Sequence, residues 1–120
     1  MAYADITHEI IGAAFEVHRQ LGYRFLEKVY QRALQVELQQ RRISSVLEEK
    51  IQVRYKGIIV GDYSADLLVE NVVVVELKVS LHYNPEDEAQ LLNELKATCK
   101  KVGLLLNFGR AKVEFKRLVF

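Results

Sequence analysis

Apolar positions recur along this chain in two periods, and the switch between them divides it. From about Asp5 to Gln20 the period is helical. Ile10, Ala14, Val17 and Leu21 repeat every three or four residues, and Ile11 and Phe15 widen the stripe. Asp5 or Thr7 suits the helix start, and Leu21-Gly22 suits its stop. A second helical stripe of Leu26, Val29, Tyr30, Ala33, Leu34 and Leu38 predicts a helix from about Phe25 to Gln40. The period then falls to two. Leu47, Ile51, Val53 and Tyr55 are interleaved with Glu48, Lys50, Gln52, Arg54 and Lys56, the pattern of a half-exposed strand.

Gly57 and Gly61 bracket Ile58-Ile59-Val60, where a turn or bulge is expected. Strands follow over about Tyr63 to Val69 and Val72 to Val79. Asn84 suits an N-cap and Pro85 the first helical position, with acids behind them. That helix is expected to reach about Cys99, with Leu92, Leu95 and Cys99 inward. Val102 to Phe108 is a continuous apolar run, which reads as a buried strand, and Lys112 to Phe120 closes the chain. The order is helix, helix, three strands, helix, strand, strand. It predicts an α+β fold whose mixed sheet is flanked by helices. If the strand after the helix runs parallel to the one before it, the crossover should be right-handed.

Length adds that the 120 residues fit a single domain over 1–120. Charge subtracts a function class. With 17 basic and 16 acidic residues the net charge is +1, so no broad electrostatic footprint for nucleic acid or membrane exists. Binding to DNA or RNA would need local basic patches such as Arg41-Arg42, Lys100-Lys101 or the tail from Arg110 to Arg117, each of which reads alone as solvated surface. One cysteine, Cys99, cannot form an internal disulfide, which fits a reducing, cytoplasmic setting. No apolar run approaches the ~20 residues that span a bilayer.

The candidate chemistry lies in the strands. In the stretch from Val72 to Val79, odd positions are all apolar while Glu76 and Lys78 are even. In the preceding strand Ala65, Leu67 and Val69 are odd and Asp66 is even. Matching the apolar faces requires opposing residue numbers to have an even sum, because a slip of one residue reverses every side chain. That predicts a three-residue connection, Glu70 to Val72, or a bulge of equal effect. It also sets Asp66 opposite Glu76, with Lys78 on the same face. Two carboxylates about 4 Å apart repel by ~4 kcal/mol at an effective dielectric of 20. A hard divalent cation, Mg²⁺ or Mn²⁺, would offset this. From spacing alone, a solvated cross-strand charge cluster accounts for the pattern equally well. Glu27 reads by spacing as an exposed acid favoured by its helix dipole, and His18 as a hydrogen-bonded core histidine.

These residues, with others in order along nearly the whole chain, resemble the GxxExxY proteins of the PD-(D/E)XK nuclease-like superfamily. The likeness includes Glu16-Val17-His18-Arg19, Leu21-Gly22, Phe25 to Tyr30, Tyr63 to Leu68, Val75-Glu76-Leu77-Lys78, Glu88 to Asn93 and Gly103 to Gly109. The naming glycine is Arg24 here, the proline of Pro-Asp is Ala65, and a customary tyrosine is Glu94. Arginine resists the positive φ that glycine accepts, so the turn at Arg24 departs from the pattern. The resemblance implies a restriction-endonuclease-like α-β-β-β-α-β core. It implies that Asp66 and Glu76 bind metal, with Glu27 reaching the same ion or a second one. Lys78 would position or activate the attacking water, and Gln90 would orient water or phosphate. The cofactor implied is Mg²⁺ or Mn²⁺, acting as a Lewis acid.

The function expected is metal-dependent hydrolysis of phosphodiester bonds in DNA or RNA. The alternative is a catalytically silent module on the same fold that binds nucleic acid or a protein. The apolar end Leu118-Val119-Phe120 leaves room for a homo-oligomer through an edge contact.

Overall fold

A computed structural model describes residues 3–120. The elements follow the predicted order. Helices α1 (Ala4–Leu21) and α2 (Glu27–Gln40) come first, then strands β1 (Ser45–Tyr55), β2 (Ile58–Val69) and β3 (Val73–Lys78). Helix α3 (Asp87–Thr98) leads to β4 (Val102–Phe108) and β5 (Val113–Val119). The five strands lie in sequence order. Only β3 and β4 are parallel, joined through α3. Among the described residues no helix is long and apolar enough to cross a membrane.

Two apolar cores sandwich the sheet. On one face α1 and α2 bury Ile10, Ala14, Tyr30 and Leu34 against Leu67, Val73, Val75 and Leu77. On the other, Leu91 and Leu95 of α3 pack on Ala65, Leu68, Val74 and Leu105. Both faces of β3 and β4 are therefore covered, as the valine- and leucine-rich runs require. The even face of β3 is not solvated.

Three helix starts depart from expectation. Helix α3 begins at Asp87 with Glu86 at its N-cap position, so Asn84 and Pro85 lie in the turn before it, where Asn84 Oδ1 accepts from the Glu86 N–H at 3.0 Å. Neither Asp5 nor Thr7 caps α1. Tyr3 stands at the N-cap position with φ 57, and the Thr7 hydroxyl donates back to the Tyr3 and Ala4 carbonyls. Helix α2 starts at Glu27, so Leu26 is left 78% exposed, and the buried positions are Tyr30, Gln31, Leu34 and Leu38. Gly22 does stop α1, with φ 74 and its N–H on the His18 carbonyl. Tyr30 closes the same corner. Its hydroxyl donates to the Gly22 carbonyl and its ring stacks on Phe108 with centroids 4.6 Å apart. Arg24 adopts φ 86, a conformation suited to glycine.

The strands show two further differences. Ile58-Ile59-Val60 belongs to β2, and the turn falls on Lys56 and Gly57 with φ 50 and 83. The bulge expected in this segment is present: Val53 pairs with Gly61 and Arg54 with Ile59, which leaves Val60 as the extra residue. Ala65 and Leu67 do not share a face: Ala65 packs under α3 and Leu67 under α1 and α2. The exchange occurs at Asp66, opposite Glu48, which bends out of the ladder at φ 54. In α3 the inward stripe is Leu91, Glu94 and Leu95, with Leu92 at its margin, and Cys99 is exposed.

The β2–β3 register has the even sum anticipated: Leu67 pairs with Val75, Leu68 with Val74 and Val69 with Val73. The connection is Glu70 to Val72, with Glu70 and Asn71 at φ 51 and 58 and the Val72 N–H on the Val69 carbonyl. Pairing ends at Leu67 and Val75. Beyond it β2 continues with β1 alone, while β3 continues with β4 as far as Lys78 and Asn107. The sheet forks, and the first residues past the fork are Asp66 and Glu76.

Candidate active site

At the fork the two acids take over from the ladder. The Leu77 N–H donates to Asp66 Oδ2 at 2.7 Å, and the Asp66 N–H donates to Glu76 Oε1 at 3.3 Å. Each carboxylate thus satisfies main chain that a regular ladder would have paired. Gln31 of α2 holds Asp66 from the other face, its Nε2 donating to the Asp66 carbonyl at 2.8 Å. Beyond Lys78, Asn107 fastens the exit of β3. Its Oδ1 accepts from the Ser80 N–H at 3.0 Å and its Nδ2 donates to the Ser80 carbonyl at 3.0 Å.

Helix α3 covers this point closely because of Gly103. A Cβ there would come within 3.0 Å of the Leu91 side chain, so the glycine lets Leu91 settle onto β4. One turn further along α3, Glu94 is buried and lies within hydrogen-bond reach of Glu76. Glu94 Oε2 accepts from Gln90 Nε2 at 3.3 Å, while the buried Oε1 has no hydrogen-bond donor.

The electrostatics follow from this enclosure. Burial pushes the Glu76 carboxyl far above the usual carboxylate range, and Glu94 and Asp66 push it the same way. Burial also raises Asp66 and Glu94. Two acids in contact under α3 hold a proton between them unless a cation replaces it. Lys78 opposes these shifts in Asp66 and Glu94 from beyond ion-pair distance. Glu27 is on the exposed first residue of α2. Its carboxyl is raised first by surrounding protein and then by the Asp66 charge, and lowered by Lys78. The structure therefore sets Asp66, Glu76 and Lys78 together, puts Glu27 within their field and brings Gln90 in through Glu94.

His18 is not part of this group. Its Nε2 donates to the Gly109 carbonyl at 2.7 Å and ties α1 to the end of β4. Sequence reading missed Gln31 and Glu94. Each follows a candidate by one helical turn, Glu27 to Gln31 and Gln90 to Glu94, and that i,i+4 spacing was the available signal.

The donor set suits a hard cation. Among the described residues no three His, Cys, Asp or Glu side chains already form a closed ligand group. Mg²⁺ does not need one, since it is commonly held by one or two carboxylates and keeps several waters. Glu94 Oε1 is buried without a hydrogen-bond donor, a polar atom that such an ion or its water could satisfy.

The family model of the PD-(D/E)XK nuclease superfamily matches residues 4–118. No curated protein matches the chain. Among solved structures, SSO0001 superposes with a TM-score of 0.58 at 15% identity over 98% of this chain. The chain spans 60% of that protein's length. The alkaline exonuclease LHK-Exo from Laribacter hongkongensis superposes with a TM-score of 0.52 at 12% identity, over 93% of this chain and 81% of its own. At these identities the likeness is one of fold, and the fold is that of a nuclease.

Proposed function

Since the chain belongs to the PD-(D/E)XK nuclease superfamily, we propose that it hydrolyses phosphodiester bonds of DNA or RNA with a divalent metal held by Asp66 and Glu76. The observation that carries this reading is the fork. Two acids face each other where the ladder ends, one of them buried, with Lys78 on the same strand.

Bound Mg²⁺ or Mn²⁺ would supply Lewis acidity toward the phosphate. The chain's own residues do the remaining work. Gln31 and Glu76 hold the Asp66 main chain and the Leu77 N–H holds its carboxylate, so the carboxylate arrives already oriented. The Lys78 ammonium places positive charge where charge develops on the phosphate, and positions the attacking water. Gln90 offers an amide beside the acids. Glu27 contributes a further carboxylate from the opposite side of the site, for the same ion or a second.

The test is cleavage of single- and double-stranded DNA and RNA by the purified chain with Mg²⁺ and with Mn²⁺. Cleavage is expected, and Glu76→Gln and Lys78→Ala should each abolish most of it. Cleavage by both variants equal to that of the unaltered chain overturns the role of this site, and no cleavage of any substrate overturns the reading and leaves a silent binding module on the same fold.

A further inference from the structure

Between the β1–β2 hairpin and α3 lies a groove of about 890 Å³. At its inner end are Gln90 and Glu94, the two α3 residues that reach the acid cluster. The groove therefore meets the candidate reacting centre through Gln90 and Glu94. Three of its features concern what it would hold.

The first is an aromatic surface. Tyr63 lines the groove with 53% of its surface exposed. It has this room because of Gly61. A Cβ at Gly61 would meet Tyr63 Cε2 at 3.2 Å, so the ring lies over bare backbone. Among the described residues no other ring packs on it.

The second is charge. Arg54 and Lys96 line the groove from opposite walls, one on the hairpin and one on the helix. Gln52 and Val53 line the hairpin wall beside Arg54. The Arg54 guanidinium makes only long contacts, 3.4 Å to the Gly57 carbonyl and 3.4 Å to Gln52 Oε1. Neither Arg54 nor Lys96 has a carboxylate partner among the described residues. With Glu94 the one acid in the lining, the two cations leave the groove with a positive balance.

The third is size. The volume falls within the roughly 300–1,000 Å³ that encloses one small-molecule-sized ligand. A nucleotide or two meets that bound, and a base-paired duplex does not.

We infer that this groove holds a single unpaired strand of nucleic acid, with a base stacked on Tyr63 and phosphates on Arg54 and Lys96, and leads it to the acids at the fork. Stacking on an aromatic ring within a positive groove is the general way in which unpaired strands are held without regard to sequence. The inference takes the acid cluster as the reacting centre, but strand binding needs no metal and no reaction.

The experiment is fluorescence anisotropy of the full chain with a short labelled oligothymidylate, against a duplex of equal length, in EDTA. The single strand should bind more tightly. Tyr63→Ala should weaken it at least about 5-fold, while Tyr63→Phe retains it. Arg54→Gln combined with Lys96→Gln should reduce the slope of log affinity on log salt by about 1.4, the share of two phosphate contacts. Unchanged melting temperatures confirm that these exposed substitutions leave the fold intact. Equal or tighter binding of the duplex, or indifference to Tyr63→Ala, overturns the inference. Failure of the nuclease reading looks different: the strand binds in EDTA and responds to Tyr63→Ala, yet nothing is cleaved when metal is added.

Discussion

Asp66 and Glu76 each accept a hydrogen bond from main chain across the fork. Asp66 Oδ2 takes the Leu77 N–H at 2.7 Å, and Glu76 Oε1 takes the Asp66 N–H at 3.3 Å. The same two side chains that would hold a metal thus hold the two strands at their parting. Structural and chemical roles can be separated by choice of substitution.

Asp66→Asn keeps an oxygen for the Leu77 N–H but removes the charge. We expect it to fold with nearly unchanged stability and to bind Mn²⁺ on the order of 10- to 100-fold more weakly in calorimetric titration. Asp66→Ala also strands the Leu77 N–H, and should cost about 1–3 kcal/mol in urea unfolding. Equal stability of the two variants would remove the strand-holding role.

The raised Glu76 carboxyl makes a signed prediction about pH. Its folded value is above its unfolded one, so its contribution to stability is complete below the ordinary value of 4.5. The contribution is lost as pH rises toward about 10. The metal-free protein should therefore lose stability relative to Glu76→Gln across that span, as read by melting temperatures in EDTA. Mn²⁺ affinity should rise with pH over the same range, because the ion displaces a proton. Parallel melting curves for the two proteins would contradict this.

Glu94→Gln supplies a donor amide next to Glu76 in place of a buried carboxyl whose Oε1 has no donor. The metal-free variant should be more stable by about 1–3 kcal/mol at mildly alkaline pH, measured by urea unfolding. A loss of stability would show that Glu94 makes a favourable contact as a carboxylate.

Two backbone positions give predictions independent of the chemistry. Arg24 sits at φ 86, so Arg24→Gly should raise stability by about 1 kcal/mol, visible as a higher melting temperature. Gly103→Ala should do the opposite. Its Cβ would meet Leu91 at 3.0 Å and lift α3, at a cost of about 1–3 kcal/mol.

Much of this was legible in the sequence. The even-sum register placed Asp66 opposite Glu76 and the turn at Glu70 to Val72, because valine-rich faces tolerate no one-residue slip. Apolar periodicity failed where burial is not apolar. It put Leu92 and Cys99 on the inner face of α3, since it cannot count Glu94 as an inward residue. Glu94 is buried because Gly103 lowers Leu91 onto β4, a relation between distant positions. It also gave Ala65 and Leu67 one face, since alternation assumes an unbroken strand and Glu48 bends the ladder opposite Asp66. Gln31 was missed for the same reason as Glu94: its partner, the Asp66 carbonyl, is remote in sequence.

The fork also says something about how this sheet could evolve. Apolar β-branched residues at 66 and 76 would let the β2–β3 ladder close by another rung and would remove one buried and one half-buried acid. Such a protein should be more stable and chemically inert. Sequences close to this one can therefore gain robustness by abandoning the site, and stability forgone at that one rung is where selection for chemistry would be felt.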